Sequence, residues 1–212
     1  MYCKDVIGMQ RRMILASGSP RRIELMKWIC KEYDVITADV DETPLPQELP
    51  QELVRRLSFS KARKVFRQTQ DPRVVIGADT VVALGSEILG KPVDADHARE
   101  MLQKLSGSHH KIYTGVAILW DDPCAQEQMG CVRFVEDPGV EFYPLSKEEI
   151  DQYVQTGEPF GKAGAYAIQM QGGLFVRRIE GDYNGIVGFP VSRIYHILRD
   201  ARLMDGFPME QL

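Results

Sequence analysis

Two hydrophobic patterns take turns along the chain: short continuous apolar runs, and apolar positions recurring at helical spacing. Met13-Ile14-Leu15-Ala16 is a run of the kind a buried strand makes. Ser17-Gly18-Ser19-Pro20 breaks it with a turn and a proline at the first helical position. Ser19 is therefore the expected N-cap, with Ile23, Leu25, Met26 and Ile29 on the buried side of a helix. Tyr33 to Thr37 reads as a strand, and it runs into the acidic turn Ala38 to Pro44. From Gln51 to Gln68 the inward line of a long helix is Leu53, Leu57, Lys61 and Val65, so a lysine stands on an apolar stripe. Two β-branched runs between Arg73 and Leu84 flank Gly77-Ala78-Asp79-Thr80, which sets Asp79 at or near the end of a buried strand.

The second half continues the alternation. Glu87-Ile88-Leu89 is a short strand, and Gly90-Lys91-Pro92 turns the chain with a lysine at its tip. Asp94 is the expected cap of a helix through Leu105, with Ala98, Met101, Leu102 and Leu105 inward. His109 and His110 read as a loop pair before a strand from Lys111 to Leu119. Neighbours on a strand point to opposite faces, so the two would not share a metal. Residues 121–130 form a polar hairpin tip, after which Cys131–Val135 and Val140–Tyr143 continue an antiparallel meander. Ser146 and Glu149 form a capping box for a helix to about Gln155. Leu174–Ile179 is a strand, 181–188 a glycine-punctuated loop, and Pro190 begins a last helix through Leu198. The alternation predicts an α/β fold with a mixed, bent sheet.

Composition narrows the classes. A chain of 212 residues with a net charge of −4 has no broad basic surface, which argues against nucleic acid as a partner. No apolar run approaches the ~20 residues of a membrane-spanning helix. The four cysteines lack metal-ligand spacing and read as reduced thiols of a cytoplasmic protein. Residues 1–12 read as an N-terminal extension, with Met9 and Met13 as alternative starts, and 13–212 as one domain.

The polar residues that interrupt these patterns carry the candidate chemistry. Arg21 and Arg22 fall in the first turn of a helix, where the dipole favours anions, so either they are solvated or something anionic arrives there. The carboxylates of the 38–44 turn are either a solvated loop or ligands for a divalent cation. Lys61 either snorkels from the core or points its ammonium into a cleft. Asp79, amid so much apolar sequence, needs a partner to stay charged. Cations at Arg21, Arg22, Lys61 and Lys91, with carboxylates at Glu42 and Asp79, are the set that a triphosphate with its metal needs. There is no P-loop, no dinucleotide-binding glycine motif and no supported nucleophile–histidine set.

These segments, in order, are LASGSPRRIEL, the VDET turn, SKAR, GADTVV, GKP, LSG…YTGVA, PLSKEEI, TGEPFGKAGAYAIQ and GDY…VGFP. Together they resemble the Maf family of nucleoside triphosphate pyrophosphatases over nearly the whole chain from Met13. The resemblance implies two lobes around a central cleft in an inosine-triphosphatase-like (Maf) fold. It also implies a homodimer and metal-dependent cleavage (magnesium or manganese) of a nucleoside triphosphate to the monophosphate and pyrophosphate. The family's proposed base falls on Asp79, and its further functional positions on Ser17, Arg22, Glu42, Lys61, Lys91 and Gln169. Arg21, Thr80 and Gln169 match the branch acting on dTTP and UTP, which extends to modified pyrimidine nucleotides. The branch acting on 7-methyl-GTP has tryptophan, glutamine and glutamate at those three places. Two features depart from the family: a longer 121–130 tip, and Asn184-Gly185 in place of a tyrosine–asparagine step. The alternatives are a 7-methyl-GTP or inosine-type triphosphate pyrophosphatase, and a non-catalytic nucleotide-binding regulator of division.

Overall fold

The computed structural model describes residues 11–70, 73–125 and 128–204. Among them the strands form one eight-stranded mixed sheet, built on two long strands. These are β3 (Arg73–Leu84) and β5 (His109–Asp121), which run antiparallel with Val74 opposite Trp120 and Ala83 opposite Lys111. Each end of this ribbon carries a different set of neighbours. At one end β1 (Arg12–Leu15) lies parallel to residues 73–76, with the short β2 (Asp34–Val35) outside it. At the same end β6 (Met129–Glu136) pairs with residues 114–121 of β5. At the other end β4 (Glu87–Leu89) pairs with residues 82–84, while β7 (Gly139–Phe142) pairs with residues 109–111 and carries β8 (Val176–Glu180). The sheet is thus two half-sheets on a shared ribbon. Between β1 and β4, on the edge away from β5, the stretch 77–81 of β3 has no strand beside it among the described residues.

Helices complete the two lobes. On one side of the first half-sheet, α1 (Pro20–Met26) and α6 (Val191–Asp200) bury Leu25, Met26, Ile194 and Leu198 against Met13, Leu15, Ile76 and Ile118. In the second lobe α3 (Ala95–Leu105) and α4 (Lys147–Gln155) bury Met101, Leu102, Leu105 and Ile150 against Ile112, Val140 and Phe142. On the opposite face α2 (Pro50–Gln68) bridges the lobes. Its Leu53, Val54 and Leu57 meet Val81, and its Ala62 and Val65 meet Ile14, Val75 and Leu119. Two glycines let α2 lie close. A Cβ on Gly77 would sit 2.4 Å from the Ser58 carbonyl oxygen, and one on Gly115 would sit 2.3 Å from that of Val54. The expected fold, mixed and bent with two lobes around a cleft, is the one observed, and the inward residues of α2 and α3 are all buried.

Several local expectations give way. Asp79 is in the middle of β3, because the 73–84 run is one uninterrupted strand and the small residues at 77–78 admit α2 instead of turning the chain. His109 and His110 are the first residues of β5 and not a loop; they do face opposite ways, His110 buried and His109 exposed. Residues 183–187 form the short helix α5 (Tyr183–Val187), capped by Asp182, whose carboxylate accepts from the Asn184 and Gly185 N–H groups. The strand expected at 33–37 shrinks to two residues at the sheet edge. Ser19 occupies the N-cap position without a side-chain cap; Ser17 Oγ takes the Ser19 N–H instead, at 3.2 Å. Cys30 and Cys131 are free thiols, but Cys124, exposed in the β5–β6 turn, is in a disulfide, which spacing along the chain cannot reveal. The expected extension at residues 1–12 lies outside the described residues except for its end, where Arg12 already belongs to β1.

Candidate active site

The open edge of β3 leads onto a cleft of about 800 Å³. All nine residues singled out from the sequence line it: Ser17, Arg21, Arg22, Glu42, Lys61, Asp79, Thr80, Lys91 and Gln169. Its floor is an ion cluster. The close approach of α2 to Gly77 brings Lys61 beside Asp79, two residues further along the same face of β3. The Lys61 ammonium contacts Asp79 Oδ1 at 2.6 Å and Glu42 Oε1 at 2.5 Å. Lys61 and Asp79 are buried at 9% and 7% exposure, whereas the Glu42 side chain is half exposed. Lys61 therefore follows the cleft-pointing reading: its stem is on the apolar line and its charge is between two carboxylates. Burial pushes the Glu42 carboxyl up, but the hydrogen bond and charge of Lys61, with Lys91 and Arg22 behind, outweigh it and hold the group below its ordinary range. Lys91 stands at the rim, exposed, 3.9 Å from Glu42 Oε2.

Arg22 and Arg21 turn out to be unlike. Arg22 donates from Nε to the Gly188 carbonyl at 2.9 Å and from one terminal nitrogen to Ser17 Oγ and the Ala78 carbonyl at 3.2 and 2.9 Å. Its other terminal nitrogen donates to Thr80 Oγ1 at 3.0 Å. A guanidinium has five N–H groups, so four hold the protein together and one is left for a ligand. Burial lowers its pKa, and the charges of Asp79 and Glu42 push back. Thr80 continues the chain of bonds. Thr114 gives its proton to the Gly185 carbonyl at 2.9 Å, so Thr80 must donate to Thr114 Oγ1, also 2.9 Å away. Arg21 makes no hydrogen bond or ion pair within the described residues, and burial lowers its pKa.

The facing wall is the segment between α4 and β8, where the sequence sets Lys162 and Gln169 around a run of small residues and points to Gln169 alone as a site residue. Phe160, Lys162, Tyr166 and Met170 line the cleft beside it. The Lys162 ammonium donates to the Glu158 carbonyl, and its pKa is lowered by burial and then by the charge of Arg21. The signal for Lys162 was a lone cation in a run of glycine and alanine. Glu158 and Tyr166 gave no such signal, since the backbone donors of Glu158 come from a turn thirteen residues on and the partner of Tyr166 is His110 of β5.

A bilobal α/β protein with lysines, arginines and two converging carboxylates in its cleft belongs among enzymes that handle polyphosphates. The Maf-like protein family model matches residues 12–201, and the chain belongs to the Maf family. It is 45% identical over 189 residues to the dTTP/UTP pyrophosphatase of Bacillus cereus strain ATCC 14579, covering 89% of this chain and 95% of that protein. It is 44% identical over 193 residues to the dTTP/UTP pyrophosphatase of Bacillus anthracis, covering 91% and 97%. Among solved structures it is similar to the Staphylococcus aureus Ham1 protein, with a TM-score of 0.48 and 15% identity over 90% of this chain and 100% of that one.

Proposed function

We propose that this protein hydrolyses dTTP and UTP to the nucleoside monophosphate and pyrophosphate. The observation that carries the reading is the Lys61 ammonium held between Asp79 and Glu42 in the cleft of a Maf-family chain. Water attacks the α-phosphorus, the α–β bridging oxygen leaves with the pyrophosphate, and the proton lost by water goes to Asp79. Asp79 has one oxygen on Lys61 and the other uncommitted among the described residues, so it is fixed in orientation and still able to accept. Lys61, Lys91 and the remaining N–H of Arg22 offset the charge that develops on the phosphate oxygens. Ser17 and Thr80 hold Arg22 in place.

The donor set suits a divalent metal. Two carboxylates stand on either side of the Lys61 ammonium, hard oxygen groups that would ligate magnesium or manganese together with phosphate and water. No group of three acidic, histidine or cysteine side chains that could hold an ion occurs among the described residues, so a closed protein cage is not what this site offers. Glu42 and Asp79 would hold the ion, which when bound supplies Lewis-acid polarisation of the phosphate. For the base, Gln169 is exposed in the cleft and makes no hydrogen bond within the described residues. Its amide can accept from the N3–H of uracil or thymine and donate to a neighbouring carbonyl, while Arg21 stands across from it as a further donor. The reading carries with it a cytoplasmic location; no helix of the described residues is long and apolar enough to cross a membrane.

Pyrophosphate release from UTP, dTTP, CTP, GTP and 7-methyl-GTP, with magnesium and with chelator, tests the proposal. Preferential turnover of UTP and dTTP, lost in chelator, is the expected result. Preference for 7-methyl-GTP would move the chain to the other branch, and no pyrophosphate from any nucleotide would overturn the activity.

A further inference from the structure

Glu158 is a buried carboxylate, 8% exposed, that the chemistry above does not use. Its Oε1 accepts from the Tyr153 hydroxyl at 2.8 Å and from the Gly172 N–H at 3.0 Å, and its Oε2 accepts from the Gln171 N–H at 3.0 Å. Its own N–H donates to Thr156 Oγ1 at 3.1 Å, which fixes it to the end of α4. Two oxygens thus gather three donors, two of them consecutive backbone groups thirteen and fourteen residues further along. The segment so closed, 158–172, contains no strand and only short 3₁₀ turns, so no ladder fixes its shape. It carries Phe160, Lys162, Tyr166, Gln169 and Met170 into the cleft. Gln169 is two residues before the first N–H that the carboxylate holds.

We propose that Glu158 is a positioning residue for base selection, setting where the Gln169 amide stands in the cleft. The inference rests on the pyrimidine reading of Gln169. Its chemistry demands an acceptor-only group. In Glu158→Gln the amide oxygen can serve either the two donors now on Oε1 or the one now on Oε2. The amide NH₂ must then face a backbone N–H, donor against donor. That N–H is either left unpaired or pushed away, and residue 169 moves with it. An unpaired buried donor of this kind corresponds to on the order of a tenfold change in an equilibrium.

The test is a double-mutant cycle on base preference, read as the ratio of kcat/KM for UTP to that for GTP, with KM, kcat and melting temperature measured alongside. Glu158→Gln is expected to lower the ratio about tenfold, with KM for UTP rising more than kcat falls. Made on top of Gln169→Ala, it should lower the ratio no further, because the side chain it positions is gone. A purely structural role would lower the melting temperature and slow all nucleotides alike in both backgrounds, which overturns the proposal. If Gln169→Ala alone leaves the ratio unchanged, the pyrimidine reading of Gln169 fails, and this inference fails with it. If Gln169→Ala lowers the ratio and Glu158→Gln does not, only the inference fails. Should Glu158→Gln not fold, Glu158→Asp decides. It keeps the charge and withdraws the oxygens by one methylene: a reduced ratio supports the positioning role, and an unchanged ratio overturns it.

Discussion

The two walls of the cleft are built by different means. The phosphate wall takes its central pair from regular elements, Lys61 from the fourth turn of α2 and Asp79 from the centre of a twelve-residue strand, and its flanking Glu42 and Lys91 from turns. The separation of Lys61 and Asp79 follows from helix-on-sheet packing at Gly77 and Gly115, so that pair is as rigid as the core below it. The base wall is an irregular segment held by a few side-chain hydrogen bonds, chiefly those of Glu158. The Lys61–Asp79 pair, which would act on bonds common to all nucleotides, is on the stiff scaffold, and Gln169, which would read the base, is on the segment that sequence change can reshape. This is the division expected where loops on a rigid frame carry specificity.

Substitutions on the two walls should therefore fail in different ways. The largest effect belongs to Asp79→Asn, which retains an acceptor for Lys61 and so the fold. Turnover of UTP should drop by about 10²–10⁴-fold at an almost unchanged melting temperature. Near wild-type turnover in that variant would take Asp79 out of the proton transfer. Chelation probes the same wall without mutation: EDTA should abolish turnover and leave the circular dichroism spectrum as it was, with magnesium or manganese restoring activity. Next comes Lys61→Met, which keeps the apolar stem on the α2 stripe and removes the charge. A loss of roughly 10²-fold in kcat is expected for one stabilising group. Full activity combined with a large fall in melting temperature would return Lys61 to the core.

The base wall should respond more gently and in another quantity. Gln169→Glu sets an acceptor against a uracil carbonyl, and the preference for UTP over GTP should fall by about 1–3 kcal/mol, with turnover of the best substrate retained. An unaltered preference would remove Gln169 from base reading. The smallest effect concerns the core behind that wall. His110 is 1% exposed, bonds to the Tyr166 hydroxyl at 2.8 Å and packs edge-on against Phe142. Burial, with a minor contribution from His109, takes its pKa from 6.5 down to about 4. The folded protein therefore binds this proton less readily than the unfolded chain. The stability it contributes is complete above pH 6.5 and is lost as pH falls toward 4. By pH 5.5 the loss should be about 1 kcal/mol, measurable by urea denaturation, and His110→Gln should remove that part of the slope.

The same contrast explains what could be read in advance. The stripe of α2 and the apolar run of β3, with the acidic 38–44 turn and the Gly90-Lys91-Pro92 turn, are local patterns, and they led to both lysines and both carboxylates. What a side chain meets across the fold is not a local pattern. Lys61 could be placed on an apolar line but not between two carboxylates, and Arg22 could be proposed for an anion although four of its five N–H groups bind protein. The 181–188 stretch looked like a loop because glycines hide a five-residue helix held by Asp182. Glu158 was part of a motif and nothing more, since two of its three donors are supplied by a turn more than ten residues away.

The gap beside residues 77–81 of β3 has a mechanical consequence. Because β1 pairs only as far as residue 76, β4 only from residue 82, β6 only from residue 114 and β7 only to residue 111, the sheet narrows to β3 and β5 alone at Val81 and Tyr113. A two-stranded ribbon accepts more twist than a wide sheet does. The cleft thus has one compliant direction, torsion of that ribbon, and α2 lies along it as a splint on a single side. Asp79 is two residues from that narrow point on β3, where rotation displaces atoms little, while the rims of the cleft are further from it and move more.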